Sequence, residues 1–348
     1  MKRVPKTLLL LVIGIVIFLA YLYLSDFTTV VKTIASAQMP LIALAAGIDV
    51  VCIGLFALAW HLILKDSGSG ISYTKSFSIL LASIFGDLMI PTASISGELL
   101  RIGLTNKKGG VPLTKASASV LLHRLLHGLS FGIVIAIAIV GEALFHALVF
   151  KELKGFIAAG IAAVAFSALG LYALFNVRKM YRITERTLFK IEGFLVRIWK
   201  HYNRDNAKQR LMEAFEAFNG AVVSVRRGTL LAAITILTVR WIVLAFVPLT
   251  IFISLGYYPS YWAILLVCTF VSLVQMIPVG IPGLLGIMEV SMTAAFAGFG
   301  IPIPIATSAT ILTRLVIFWF ELVLGGIAAI ALGASLAGAR GSCNSVES

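Results

Sequence analysis

Arginine and glutamate recur at two places where the surrounding sequence is almost wholly apolar. Glu98 and Arg101 are followed by Arg124, and Glu289 is followed by Arg314. Guanidinium groups bind phosphate through forked, permanently charged hydrogen bonds. We therefore expect a site for a phosphate-bearing headgroup, in which the glutamates hold the arginines in place or yield them to the guest. The alternative is that each glutamate only pairs with an arginine to join two helices.

Small and polar residues stand just before each of these glutamates. A half-helix that begins inside the membrane points free N–H groups and the positive end of its dipole into the protein interior, which favours a bound anion. We place four of these small residues in the substrate-binding site, together with the charged residues above. They are Ser96, Gly97, Gly283 and Gly286.

Two histidines lie beside Arg124. His123 and His127 are four residues apart and share a predicted helical face with Ser119 and Ser130. Histidines at this spacing can bind a metal ion, but the same helix offers no third ligand and the HExxH signature is missing. We expect the histidines to line a polar cavity or handle protons as part of the substrate-binding site, with no metal and no cofactor.

The apolar segments contain four further charged residues, which are Asp49, Asp87, Arg240 and Glu321. A charge at the centre of an isolated membrane helix costs at least about 2.5 kcal/mol, so these side chains should face a polar interior and pair. Asp49 and Arg240 occupy nearly equivalent places in two matching segments, and we predict that they form a structural charge pair. For both, and for Glu321, a functional role is equally open.

The composition identifies the solvent of these segments. Of the 348 residues, 60% are hydrophobic and 12% are charged, whereas soluble domains carry about 25% charged residues. Most of the protein must therefore lie in lipid, which excludes a soluble enzyme, a nucleic-acid-binding domain and a secreted scaffold. The three cysteines show no disulfide or metal-ligand spacing.

The predicted fold is an all-α polytopic membrane protein with about six full spans, because an apolar run of about 20 residues crosses the hydrocarbon core. The first run follows three basic residues and is expected to be a retained signal anchor. The predicted spans are Leu8–Leu24, Pro40–Leu64, Thr114–Val140, Phe156–Phe175, Thr229–Ser254 and Ile305–Leu332.

Two more apolar stretches, 77–105 and 261–299, are interrupted by proline and glycine. Proline removes a helical hydrogen bond and glycine weakens a helix, so each stretch is predicted to form two half-length helices with a non-helical tip. Lipid cannot satisfy such a backbone, and the tips should be buried or line a cavity. We predict two re-entrant hairpins; the alternative is one kinked full span for each stretch.

A unit of span, broken hairpin and span occurs twice, at 39–140 and 229–332, and the stretches around Arg124 and Arg314 match. With the N-terminus in the cytoplasm, most lysine and arginine residues outside the spans fall on the cytoplasmic side, as the positive-inside rule requires. The two units then run in opposite directions. Such inverted repeats with broken helices are typical of transporters whose site lies near mid-membrane.

The segment 177–228 is the only large polar part of the chain. Its basic, amphipathic pattern favours helices lying on an anionic cytoplasmic membrane surface; the alternative is a helical hairpin that docks on a partner. The remaining parts are an N-terminal signal-anchor helix and outer segment (1–38), the two repeats, a connecting span (141–176) and a flexible tail (333–348).

The tips and the spans that follow them resemble the membrane region of lysylphosphatidylglycerol synthases, a family also described as flippase-like. The resemblance covers nearly the whole chain and is carried by Pro91…Gly97-Glu98-Leu-Leu-Arg101, Leu122-His-Arg124, Pro282-Gly283…Gly286…Glu289 and Leu312-Thr-Arg314. In the full-length synthases this region is implicated in moving a modified phospholipid between leaflets, while a separate soluble domain performs aminoacyl transfer. We recognise no such domain here.

The resemblance implies Glu98, Arg101, Arg124, Glu289 and Arg314 as site residues. The second unit differs from the first because Met292 stands near the position that matches Arg101. Equivalent phosphate contacts in the two units are therefore in question.

The leading hypothesis is a lipid translocase, not an enzyme, in the cell (cytoplasmic) membrane. Its expected partners are a membrane phospholipid or a polyisoprenyl-phosphate lipid, with no nucleic acid. One alternative is a non-catalytic partner of a cell-envelope lipid or glycan enzyme that docks through 177–228. Another is an intramembrane transferase that uses Glu98 or Glu289 as a general base.

Overall fold

The computed structural model describes residues 6–90, 95–146, 150–176, 213, 216–275 and 280–344. These residues form helices and connecting turns with no strand among them, as predicted for an all-α protein. The helices are α1 (Lys6–Leu24), α2 (Phe27–Ala35), α3 (Met39–Asp66), α4 (Tyr73–Met89), α5 (Ile95–Gly109), α6 (Leu113–His146), α7 (Phe150–Phe175), α8 (Arg227–Leu244), α9 (Phe246–Ser254), α10 (Tyr261–Gln275), α11 (Ile287–Gly298), α12 (Ile303–Arg314) and α13 (Glu321–Asn344).

Four helical stretches are long and apolar enough to cross a membrane. The shortest have 28 residues, or about 42 Å at 1.5 Å per residue, against a hydrocarbon core of about 30 Å. They match four of the six predicted spans. The other two, Leu8–Leu24 and Phe156–Phe175, are helical within α1 and α7, and their crossing stays a prediction. The four stretches are Met39–Asp66, Leu113–Phe145, Arg227–Ser254 and Ile303–Gly333.

Two of the long stretches contain local irregularities. α8 and α9 are separated at Ala245, because the ring of Pro248 is incompatible with a regular helical bond to the carbonyl of Leu244. α12 continues into α13 through a π-helical turn, Leu315–Phe320. π-helical turns replace the i→i+4 bonds by i→i+5 bonds and often occur at functional sites.

The two broken stretches form pairs of short helices that pack on each other, α4 on α5 and α10 on α11. A single kinked span would place its two halves end to end, so this packing favours the predicted hairpins. α4 has 17 residues, or roughly 26 Å, less than the hydrocarbon thickness. The tip residues 91–94 and 276–279, with Pro91, Ser94 and Pro278, lie outside the described residues.

The helices meet in a shared apolar core. α3 packs against α8 and α9, α6 against α7, α8 and α10, and α13 against α4. Small residues bring α6 and α7 close together, since Gly128 faces Ser167 and Gly132 faces Val164, as is common between membrane helices.

The order of long helix, two short helices and long helix occurs twice along the chain. The inverted relationship between the two copies stays a prediction.

The described end of the polar segment, 216–228, packs on the protein. Phe218, Ala221, Val222 and Val225 join a buried cluster with side chains of α3, α6 and α8. The backbone N–H of Arg226 donates to Oδ2 of Asp66 at 3.1 Å, and its Nη2 lies 2.7 Å from Oδ1. Here the apolar face is covered by the chain itself and not by lipid. Most of the predicted surface helices, within 177–212, lie outside the described part of the chain.

Candidate functional site

The first hairpin is closed by a carboxylate. Oδ1 of Asp87, on α4, accepts a hydrogen bond from the Gly97 N–H at 2.6 Å and lies 3.4 Å from Oγ of Ser96. A Cβ atom at Gly97 would overlap the Asp87 carboxyl group and the carbonyl oxygen of Ser83. The glycine is therefore required for the close approach of α4 and α5, and Asp87 caps the first turn of α5.

Glu98 projects from that same first turn and forms an ion pair with Arg124 of α6. The sequence analysis expected the glutamates to hold arginines, either within a phosphate site or only to join two helices, and this contact is compatible with both. The side chains keep 21% and 36% of their surface exposed, although Arg124 lies well inside the 33-residue apolar stretch Leu113–Phe145. An exposed charge pair at this place in an apolar helix needs a polar environment around it.

Arg101 lies behind this pair and is buried. Its Nη1 is 3.4 Å from Nδ1 of His123, and its Cζ is 5.3 Å and 5.9 Å from the ring centroids of Trp60 and Phe56. Within the described residues, Nε of Arg101 has no hydrogen-bond partner. Aromatic faces thus stabilise a guanidinium group that keeps a donor free.

The second histidine connects the first half of the chain to α8. Nε2 of His127 lies 3.3 Å from Nη1 of Arg240, and its ring stacks on Trp241 at 5.0 Å. No group of three metal-ligating side chains occurs in the part of the chain that the structure describes. Both histidines thus lie beside an arginine, and their role in lining a cavity stays a prediction.

Asp49 and Arg240 do not make the direct ion pair that we predicted for them. Arg240 instead directs Nη1 to His127 and lies 4.9 Å from the ring centroid of Phe56. Asp49 is 1% exposed, and its Oδ2 has no hydrogen-bond donor among the described residues. The guanidinium group of Arg240 lies among imidazole and aromatic rings instead, and its Nε has no hydrogen-bond partner among the described residues.

The second tip is built around glycines with positive φ. Gly283, in the short 3-10 turn Pro282–Leu284, has φ 58°, and Gly286 has φ 83°. Both values suit glycine and few other residues. The Gly286 N–H donates to Oε2 of Glu289 at 2.7 Å, so Glu289 caps the first turn of α11 from within that helix.

Glu289 also binds Arg314, one of the arginines that the glutamates were expected to hold. Nε of Arg314 lies 2.8 Å from Oε1 of Glu289, its Nη2 donates to the carbonyl oxygen of Gly283 at 2.7 Å, and its Cζ is 4.3 Å from the Phe318 ring centroid. The two charged side chains are only 7% and 4% exposed. Arg314 therefore joins α12 to the tip and to the half-helix that follows it.

The two tips share a plan but differ from the expectation of free N–H groups. Gly97 and Gly286 both donate their N–H to a carboxylate of the protein, because an unpaired donor within the membrane is costly. The second half has no arginine matching Arg101: Met292 is buried in the apolar core. At the N-terminal end of each half-helix the bound anion is a carboxylate of the protein itself, Asp87 at α5 and Glu289 at α11.

Sequence reasoning placed Asp87 among the membrane charges but missed its capping role. An acidic residue four positions before Pro91, in an otherwise apolar helix, was the available signal. The aromatic neighbours Trp60 and Phe318 were also missed. Nothing in their spacing distinguishes them from ordinary core residues.

The chain matches the family described as the lysylphosphatidylglycerol synthase TM region over residues 11–325. It is 25% identical over 332 residues to the UPF0104 membrane protein PH1989 of Pyrococcus horikoshii, covering 92% of this chain and 96% of that protein. It is 24% identical over 332 residues to the UPF0104 membrane protein MJ1595 of Methanocaldococcus jannaschii, covering 94% and 95% of the two chains.

A UPF0104 membrane protein of Methanothermobacter thermautotrophicus is similar over the same extent, with 24% identity over 336 residues, 95% of this chain and 97% of the relative. The match therefore runs through both hairpins and the helices that carry Arg124 and Arg314. This protein is a multi-pass membrane protein that belongs to the lysylphosphatidylglycerol synthase transmembrane-region family.

Proposed function

We propose that this protein moves a lipid with a phosphate-bearing headgroup between the two leaflets of the membrane. The headgroup would pass through a polar interior between the hairpins while the lipid tails stay in the hydrocarbon phase. The observation that carries the proposal is the partly exposed Glu98–Arg124 ion pair, which joins the first turn of the half-helix α5 to the apolar stretch Leu113–Phe145. Charges in such a place are functional by default.

The binding step is an exchange of anions. A lipid phosphate replaces the Glu98 carboxylate as the acceptor for the Arg124 guanidinium, and a second exchange releases Gly97 from Asp87. Because one anion replaces another, the Arg124 guanidinium keeps a negatively charged partner throughout the exchange. Arg101 lies behind the pair with a free Nε donor and supplies a second positive charge for the phosphate.

The difference between the two ion pairs supports an alternating mechanism. Glu98 and Arg124 are 21% and 36% exposed, whereas Glu289 and Arg314 are 4% and 7% exposed. In transporters built from inverted repeats, the two halves adopt different conformations, and access alternates when they exchange them. We propose that in the opposite state the second pair opens and the first closes, so that the headgroup is handed from one to the other.

The residues assigned to the path are those that the sequence singled out, and they lie along both tips and α6. His123 and His127 provide neutral hydrogen-bonding groups beside the charged side chains of the path. The N-terminus and 177–228 are placed on the cytoplasmic side, where the basic segment would contact anionic lipid. The proposed path residues are Ser96, Gly97, Glu98, Arg101, His123, Arg124, His127, Gly283, Gly286, Glu289 and Arg314.

The test uses the full-length protein in phosphatidylcholine vesicles. A trace of phosphatidylglycerol carries an NBD label on one acyl chain, which leaves its headgroup unmodified. Dithionite quenches only label in the outer leaflet, so movement appears as quenching of the inner pool. We expect movement with the wild type. Arg124→Gln removes a charged hydrogen bond worth about 1.5–3 kcal/mol, and we expect lipid movement at limiting lipid concentration to be roughly 10- to 100-fold slower.

The matched control is Lys107→Gln, which removes an exposed positive charge from the same half-helix away from the ion pair; its rate should equal that of the wild type. A labelled polyprenyl phosphate and a labelled phosphatidylethanolamine define the headgroup range. If folded wild-type protein moves none of these lipids, the proposal is refuted. If Arg124→Gln moves them as fast as the wild type, the site assignment is wrong.

A further inference from the structure

A pair of carboxyl groups lies apart from the two hairpin tips. Asp49 of α3 and Glu321, the first residue of α13, lie within hydrogen-bonding reach of each other. Asp49 is 1% exposed, and its Oδ2 has no donor among the described residues. No donor from that part of the chain reaches Glu321 either. Ionised carboxylates are acceptors only, so two ionised carboxylates cannot form a hydrogen bond with each other.

The charged groups around this pair do not compensate it fully. Arg240 of α8 and Arg314 of α12 face it, and Cys52 of α3 lies beside it. Arg314 is already bound to Glu289, which leaves Arg240 as the counter-charge for two carboxyl groups. His127 lies on the far side of Arg240 and, as the acceptor in that bond, is neutral. One negative charge is therefore in excess.

A single proton removes that excess and completes the hydrogen bond. When two carboxyl groups share a site in a medium of low polarity, binding one proton is the common solution. A metal ion is a poorer occupant, because only two carboxyl groups are present and a guanidinium group lies beside them. Oδ2 of Asp49 is buried and has no donor among the described residues, so a proton on either carboxyl group would give the pair the hydrogen bond that it otherwise lacks.

The position of the pair connects it to the charged tips. Glu321 follows the π-helical turn Leu315–Phe320, which begins directly after Arg314. In a regular α-helix, residues seven apart lie on nearly the same face. The altered register of the turn lets Arg314 face Gly283 and Glu289 while Glu321 reaches Asp49 on α3. Arg314 therefore interacts with two acidic sites. It binds Glu289 at the tip, and its positive charge also acts on Glu321 of the pair.

We propose that Asp49 and Glu321 together bind one exchangeable proton, and that this proton accompanies the lipid headgroup. The coupling rests on the function proposed above. A phosphate that approaches Arg314 adds negative charge near the pair and favours proton uptake, and by linkage the bound proton favours the phosphate. On release, the acid O–H bond breaks, the proton passes to water, and both carboxyl groups are left ionised beside Arg240. One anionic headgroup and one proton then cross together without net charge.

The proton site is tested without any transport assay. Infrared difference spectra of the purified full-length protein in phosphatidylcholine vesicles, recorded over a pH titration, report the carbonyl stretch of protonated carboxyl groups. We expect that, among the titrating carboxyl bands, one is present in the wild type and lost in both Asp49→Asn and Glu321→Gln. Glu142→Gln is the matched control: it removes a buried carboxyl group that accepts a hydrogen bond from Ser260 elsewhere, and the band should persist. A band that survives both pair variants would refute the proton site.

Two further measurements keep the result interpretable. Glu321→Asp retains a carboxyl group and should shift the band without abolishing it, which separates loss of the proton from loss of the fold. In the NBD-phosphatidylglycerol assay, an imposed pH gradient should accelerate movement in one direction with the wild type, and Asp49→Asn should lose that directional response. Movement that ignores the gradient would overturn the coupling. A titrating band in a protein that moves no lipid would overturn the transport proposal and the coupling, and would leave the proton site standing.

Discussion

Arg314 holds its Nε 2.8 Å from Oε1 of Glu289, and both side chains are almost completely buried. The corresponding pair in the first half, Arg124 and Glu98, is partly exposed. The same chemical pair therefore has two different environments within one chain. If the exposed pair faces the polar interior proposed above, water and mobile ions screen it, whereas the protein itself surrounds the buried pair.

Neutralising one partner of each pair should consequently have different effects on stability. Removing one member of a buried ion pair costs about 3–5 kcal/mol, whereas exposed pairs contribute about 0–1 kcal/mol. We expect Glu289→Gln to lower the free energy of unfolding much more than Glu98→Gln, as measured by denaturant unfolding in one detergent. Gln is nearly isosteric with Glu in both variants. Equal losses would show that the two pairs share one environment.

The close contact of α4 and α5 at Gly97 gives a second prediction. A methyl group at this position would overlap Asp87 and Ser83. Gly97→Ala must therefore push α4 and α5 apart and break the hydrogen bond between the N–H of residue 97 and Asp87. We expect a lower unfolding temperature and loss of lipid movement. Gly103→Ala, on the same helix with no atom within 4 Å of the added Cβ, should be neutral or stabilising by up to about 1 kcal/mol.

The sequence analysis expected the glutamates of the tips to hold arginines of the helices that follow, and the structure explains how this arises. In each half the glutamate lies in the first turn of a half-helix and the arginine lies on the next helix along the chain, which packs against it. Proline and glycine at the tips indicated where the helices break. These features follow from local backbone preferences, which a sequence expresses directly.

Other contacts depend on how distant side chains pack against one another, which a sequence does not express. Arg240 was expected to bind Asp49, yet it lies against His127 and Phe56. Asp49 meets Glu321 because a π-helical turn changes the register after Arg314, and such a turn has no reliable sequence signature. The capping role of Asp87 likewise depends on how closely α4 and α5 approach each other.

The short helix α2 gives a pH-dependent prediction outside the membrane-spanning helices. Asp26, at its N-terminal end, accepts a hydrogen bond from the Thr29 hydroxyl, with Oγ1 of Thr29 2.7 Å from Oδ2 of Asp26. This bond holds the pKa of Asp26 below its ordinary value of 3.8. A lowered pKa in the folded state stabilises the cap above the ordinary value, and the contribution disappears as the pH falls through the lowered one. Hydrogen exchange of α2 amides, corrected for intrinsic rates, should lose protection there.

Asp26→Asn is the control for this titration. Asparagine tolerates the φ of 57° that Asp26 adopts and keeps an acceptor for Thr29, but it does not ionise in this range. Protection of α2 in the variant should therefore change less between neutral and acidic pH than in the wild type. An equal change in both proteins would assign the effect to other carboxyl groups.

The first helix is joined to the second hairpin by a buried hydrogen bond, which gives the last prediction. Oη of Tyr21 lies 2.6 Å from Oγ1 of Thr293 on α11, which in turn donates to Oγ1 of Thr310 on α12. Tyr21→Phe removes only the hydroxyl group, and we expect a loss of about 0.5–1.5 kcal/mol. Tyr23→Phe removes the same group from a side chain that is 84% exposed and should be nearly neutral. Thermal unfolding of both variants, with hydrogen exchange over 287–298, tests whether α1 stabilises the half-helix that carries Glu289; indistinguishable results would show that it does not.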